Sequence, residues 1–391
     1  MLNLEVTIMI RKGICIFLAA SFACIFTLLS ADREGQQSGA EPKAAETNPV
    51  PAAADGKIAS GEYEVKIFDA VWKDDVRKRE IPVRIYYPVA KVKDEKFPVI
   101  IFSHGLGGTC EGYKYIGEFW ADHGYLSVHV QHPGSDDAVW RDKPLGERMK
   151  AMQAAAIDMD NILERPKDIS FAIDKVLEAA KDGKSPLFGL ADPEKIGVAG
   201  HSFGAYTALA SAGRLLVSSA GREVNLGDPR IKAAIAMSPQ AIRGQDSKID
   251  KSWGAIKIPT MHMTGTKDDS PIMLDTKAAD RRQAYDRATS SERFLLILKD
   301  ANHMIFSDSD FAGSTEKRNP EHQKAIKALS LAFWDAYLKG DKNRLSWLKG
   351  DGAGSVLSKE DVFEFKPAAT TPLEGKPAGK KEETPEKKDS K

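Results

Sequence analysis

The chain is short of cysteine, has no net charge and has no long apolar run after residue 30, and each shortage excludes something. Its three cysteines are Cys15, Cys24 and Cys110. The first two lie within the N-terminal apolar stretch, so neither a disulfide framework nor a paired metal-ligand spacing follows. Cys110 remains as a lone thiol in the folded part and is assigned no role. Lys plus Arg and Asp plus Glu number 56 each, a balance that gives no field to attract nucleic acid or an acidic polymer. No internal repeat is present. No Gly-Lys-Ser/Thr follows the glycine-rich turn near residue 105, which excludes a phosphate-cradling P-loop there.

What the chain does have is ordinary globular material, 42% hydrophobic and 29% charged residues. That is enough for one sizeable core, and 391 residues accommodate one large α/β domain with tails as readily as two smaller ones. Arg11 and Lys12 precede an apolar run from about Gly13 to Ser30, so residues 1–31 read as a secretory signal or a retained N-terminal membrane anchor. Either route exports the domain to a periplasmic or extracellular location. Residues 32–60 are rich in Ala, Pro, Glu and Gly and read as a disordered linker; residues 366–391 read as a disordered charged tail.

Between 61 and 365, short apolar runs alternate with helical-period segments, the order of a mostly parallel sheet flanked by helices. Strands are expected at Pro98 to Gly105, Tyr125 to His132, Lys195 to Ser202, Lys232 to Pro239, Pro259 to Gly265 and Arg293 to Asp300. An antiparallel edge pair is expected near Glu62 to Ala70 and Ile81 to Tyr87. Helices are expected over Pro166 to Lys181, with Pro166 in the opening turn, Gly204 to Leu216 and His322 to Lys339. Two stretches, Pro133 to about Glu164 and Leu216 to about Ile231, read as irregular insertions beyond strand ends, either a lid or substrate wall or plain surface decoration.

Gly200-His201-Ser202-Phe203-Gly204 stands directly after an apolar strand and before a small-residue helix. A serine there occupies a tight strand-to-helix turn that exposes its hydroxyl beside backbone donors. A serine hydroxyl is a weak nucleophile at neutral pH and needs a base. On sheets carrying this turn, a carboxylate and then a histidine follow the serine in the chain. His262 lies inside a strand and reads as a packing residue, and His322 opens a helix where a solvated face is expected. His303, just past the last strand, remains as the base. Gly265-Thr266-Lys267-Asp268-Asp269 follows the penultimate strand, and a GxxD turn favours Asp268 over Asp269 as the carboxylate that orients the histidine. Ser103-His104-Gly105-Leu106-Gly107-Gly108 supplies a loop whose Leu106 amide, with the Phe203 amide, would form an oxyanion hole.

With SHGLGG, GHSFG, GTKDD and ANHMIF in that order, the sequence resembles the α/β-hydrolase superfamily, and within it the platelet-activating-factor acetylhydrolase and dienelactone-hydrolase-like branch. The resemblance covers about Glu62 to Lys339. It implies a sheet of about eight strands, no metal or organic cofactor, and hydrolysis of short-chain or modified acyl esters through an acyl-enzyme. The substrate would be a small-molecule or lipid ester. Acyl transfer to an alcohol, or hydrolysis of a polyester as in cutinases, are alternatives on the same residues.

Overall fold

Every residue of Phe97–Ser103 is buried, as an apolar strand covered on both faces requires. Its side chains alternate: Ile100 and Phe102 enter one apolar core, Val99 and Ile101 the other. The computed structural model describes residues 60–218, 220–270, 272, 276–308 and 318–369. The segment 1–31, almost all of the linker and most of the tail lie outside them.

The strands are β1 (Val65–Asp74), β2 (Arg79–Pro88), β3 (Phe97–Ser103), β4 (Leu126–Val130), β5 (Ala191–His201), β6 (Leu216–Val217), β7 (Glu223–Val224), β8 (Ile231–Met237), β9 (Thr260–Lys267), β10 (Arg293–Asn302) and β11 (Val362–Lys366). The helices are α1 (Lys114–Asp122), α2 (Leu145–Ile157), α3 (Met159–Ala179), α4 (Phe203–Ser211), α5 (Asp246–Gly254), α6 (Gln283–Arg287), α7 (Pro320–Trp334) and α8 (Lys342–Lys349). Nine strands form one sheet in the order β1-β2-β4-β3-β5-β8-β9-β10-β11. The pairings from β4 to β10 are parallel, and the two edges are antiparallel. All eight strands read from the sequence are present. The α/β class therefore holds, with the carboxyl ends of β3, β5, β8, β9 and β10 on one rim.

Four local expectations are corrected. The sheet has nine strands, not about eight, because β11 adds to the edge at β10; its Phe363 and Phe365 pack on Phe294 at ring distances of 6.0 and 4.9 Å. Pro166 lies inside α3 and not at its start. A proline lacks the N–H that would bond the Ile162 carbonyl, and the Tyr206 hydroxyl donates to that carbonyl at 2.9 Å instead. The two insertions are not irregular: one contains α2 and the start of α3, and the other the β6–β7 hairpin. The folded part also extends slightly past residue 365, since Lys366 closes β11 and the Ala369 amide donates to the Thr289 carbonyl at 2.7 Å.

Two glycines let β5 turn sharply into α4. A Cβ on Gly200 would lie 2.2 Å from the Gly204 carbonyl oxygen, and one on Gly204 would lie 1.9 Å from the Ser103 carbonyl oxygen. Neither position has room for a side chain, so the helix packs directly on β3 and holds Ser202 over the rim.

Candidate active site

Ser202 stands between β5 and α4 with φ 56° and ψ −119°. That left-handed backbone is strained for a non-glycine residue, and such strain collects at functional turns. The side chain is partly exposed. Its Oγ is 2.9 Å from His303 Nε2, and His303 Nδ1 is 2.7 Å from Asp268 Oδ1. Residues from the ends of β5, β9 and β10 thus meet in series, and the three side chains read from sequence come together. Asp269 does not: its carboxylate accepts from the Ala278 amide and pairs with Lys277 away from the imidazole.

Asp268 is fully buried and its oxygens are all engaged. Oδ2 accepts from Ser238 Oγ at 2.6 Å and Thr264 Oγ1 at 2.8 Å. Arg281, 1% exposed, brings Nε within 3.0 Å of Oδ1 and donates to the Asp268 and Ser238 carbonyls. Its Nη2 also lies 3.2 Å from His303 Nδ1. A guanidinium has only donors, so the shorter approach to the carboxylate fixes the Nδ1 proton toward Asp268 and leaves Nε2 as the acceptor facing Ser202. Burial pushes the Arg281 pKa down, opposed by the Asp268 charge.

The glycine-rich loop after β3 has its own arrangement of amides. Gly105 N donates to the Tyr113 hydroxyl, Gly107 N to the Ser135 carbonyl and Gly108 N to the Gly105 carbonyl. Among the described residues, the Leu106 and Phe203 amides have no internal acceptor. These are the two donors expected for an oxyanion. The insertion after β4 packs against this loop, where Trp140 Nε1 donates to the Gly107 carbonyl at 2.8 Å, and against the segment after β9, where Gln153 Nε2 donates to the Ile272 carbonyl at 3.1 Å.

A second Ser-His-Asp series lies below the loop. Ser103 Oγ is 2.9 Å from His132 Nε2, and His132 Nδ1 is 3.0 Å from Asp168 Oδ2. All three residues are 0% exposed. No substrate reaches them, and Ser103 Oγ is already held by Arg165 at 3.0 Å. Arg165 is itself fully buried; it also donates to Thr207 and Ser135, contacts the His104 carbonyl, and stacks over Phe203 at 4.5 Å. Burial pushes its pKa down to about 9, opposed by Asp168. These bonds brace the floor under Leu106. Sequence reasoning missed this series, because its members stand 29 and 36 residues apart on separate segments and no spacing joins them.

Cys110 is buried, with its thiol 3.6 Å from Gln131 Oε1. Burial raises the thiol to about 11, which leaves it protonated and unreactive at neutral pH. Among the described residues, no cluster of His, Cys, Asp or Glu is arranged to hold a metal ion, and no helix is long and apolar enough to cross a membrane.

Residues 76–144 match the family described as platelet-activating factor acetylhydrolase, isoform II. The platelet-activating factor acetylhydrolase of Canis lupus familiaris is 30% identical over 325 residues, which cover 70% of this chain and 67% of that protein. The chain belongs to the platelet-activating factor acetylhydrolase family. The Cavia porcellus protein of the same name is 25% identical over 294 residues, or 66% of this chain and 62% of that protein. The match thus spans less than two thirds of the guinea-pig protein. Family membership and the observed sheet agree on an α/β-hydrolase fold.

Proposed function

We propose that this protein is a serine ester hydrolase in which Ser202 attacks the acyl carbon, His303 takes its proton and Asp268 holds the imidazole. The observation that carries this reading is the continuous series from Ser202 Oγ through His303 to Asp268 Oδ1, at 2.9 and 2.7 Å. His303 Nε2 accepts the hydroxyl proton as the C–O bond forms, and the imidazolium is stabilised by the buried carboxylate. The carbonyl oxygen, now negative, is met by the Leu106 and Phe203 amides; a donor of this kind contributes about 3 kcal/mol to the transition state. His303 then returns the proton to the leaving alcohol. In the second half it draws a proton from water, and the hydroxide so formed releases the acid from Ser202.

The relatives' name supports a lipid ester with a short acyl group as the substrate. Export of the domain by residues 1–31, with 32–60 as a tether, completes the reading. The test is turnover of p-nitrophenyl acetate by wild type and by Ser202→Ala. The substitution should abolish hydrolysis while circular dichroism shows an unchanged fold; retained turnover refutes the assignment.

A further inference from the structure

A cleft of about 920 Å³ lies among the start of α3, the β6–β7 hairpin and α5, and includes none of Ser202, His303 and Asp268 in its walls. Its apolar lining comes from Met159, Ile162, Leu215, Val217, Ile242 and Ile249. Arg214 also lines it, yet this residue is 6% exposed. The guanidinium is stacked on Tyr206 and Trp253, 4.8 and 5.0 Å from the ring centres. Its Nε has no hydrogen-bond partner, and among the described residues no carboxylate pairs with it. Stacking and a hydrogen bond with Tyr206 recover part of the cost of burying a cation but supply no full counter-charge. The carboxylate in the cleft wall, Glu223, is already taken by Lys251 at 2.5 Å. Arg222, Arg243 and Lys248 add further positive charge to the lining.

We propose that this cleft binds an amphiphile with a single apolar chain and a carboxylate head, the head pairing with the Arg214 guanidinium. A guanidinium presents planar pairs of N–H donors that match both oxygens of a carboxylate. Such a ligand supplies the missing counter-charge, and its chain covers the apolar wall. A neutral chain leaves the cation unpaired, and a short acid leaves the wall wet. The site is separate from the hydrolytic cluster and does not depend on the reaction proposed for it.

Isothermal titration calorimetry of the full-length Ser202→Ala protein separates binding from turnover. Decanoate, kept below its micelle concentration, should saturate one site, while acetate and neutral decyl glucoside should bind at least about tenfold more weakly, a difference of ~1.4 kcal/mol. Arg214→Met should weaken decanoate by at least about tenfold. Should that variant fail to fold, Met159→Glu places a carboxylate at an exposed wall position and should weaken decanoate about fivefold or more, from like-charge repulsion. The proposal is overturned if decanoate does not bind, if decyl glucoside binds equally well, or if Met159→Glu leaves the affinity unchanged. Decyl phosphate binding more than about tenfold tighter than decanoate would reassign the head group to a phosphate.

Discussion

The Tyr113 hydroxyl lies 2.8 Å from His201 Nδ1, and both groups are buried. His201 Nε2 is 3.0 Å from the His303 carbonyl oxygen, which can only accept, so Nε2 carries the proton and Nδ1 accepts from Tyr113. The Tyr113 oxygen in turn accepts from the Gly105 amide at 3.1 Å. One chain of directed hydrogen bonds therefore runs from the glycine-rich loop to the backbone of the proposed base. Burial keeps His201 neutral and pushes Tyr113 up to about 12, so neither side chain in the series ionises at working pH.

Tyr113→Phe breaks this chain at its middle and leaves the buried Gly105 amide unpaired, at a cost of about 1–3 kcal/mol in stability. The thermal midpoint should fall. Steady-state kinetics on p-nitrophenyl acetate should give kcat about tenfold lower, equivalent to ~1.4 kcal/mol, with KM little changed. A fall in stability with kcat unaltered would make Tyr113 a packing residue only.

The two adjacent aspartates should separate cleanly. Asp268→Asn loses the carboxylate that fixes the His303 tautomer and should lower kcat on the order of 10³–10⁴-fold. Asp269→Asn, whose exposed carboxylate serves Ala278 and Lys277 away from the imidazole, should alter kcat by less than about twofold. Comparing kcat for the two variants on one ester checks the choice; equal losses would contradict it.

The six central strands were legible because burial on both faces leaves them largely apolar, and a strand followed by GHSFG and a small-residue helix specifies the turn at Ser202. The histidine and carboxylate followed from chain order. β11 was not legible: Val362-Phe363-Glu364-Phe365-Lys366 is short and charged, and it becomes a strand only because β10 offers an open edge. The Pro166 boundary failed for a similar reason, since a tyrosine 40 residues later satisfies the carbonyl that the proline orphans. The bracing by Ser238, Thr264 and Arg281 around Asp268, and by Arg165 beneath the loop, depends on contacts between distant segments that no spacing in one sequence encodes.

Buried histidines set the acid limit of the fold. Burial lowers His129 and His262 to about 3, and pushes His104, His132 and His201 well below the usual range. Their folded-state pKa values lie below the unfolded value near 6.5, so the unfolded chain binds more protons as pH falls. Stability contributed by keeping them neutral is intact above about pH 6.5 and is lost progressively below it, at ~1.4 kcal/mol per pH unit for each histidine. Urea unfolding at pH 7.5, 6.5, 5.5 and 5.0 should show a midpoint that is flat at first and then falls steeply. A constant midpoint down to pH 5 would mean that these histidines are charged in the folded protein.

The central claim is that Ser202 is the activated nucleophile, and a fluorophosphonate probe tests it directly, because the reagent forms a covalent adduct only with a serine whose base and oxyanion donors are assembled. Intact-mass analysis followed by peptide mapping should show one adduct per chain, on Ser202, that disappears in Ser202→Ala and slows sharply in His303→Ala. An unreactive Ser202 in folded wild-type protein, or an adduct that persists on another residue in Ser202→Ala, would contradict the account.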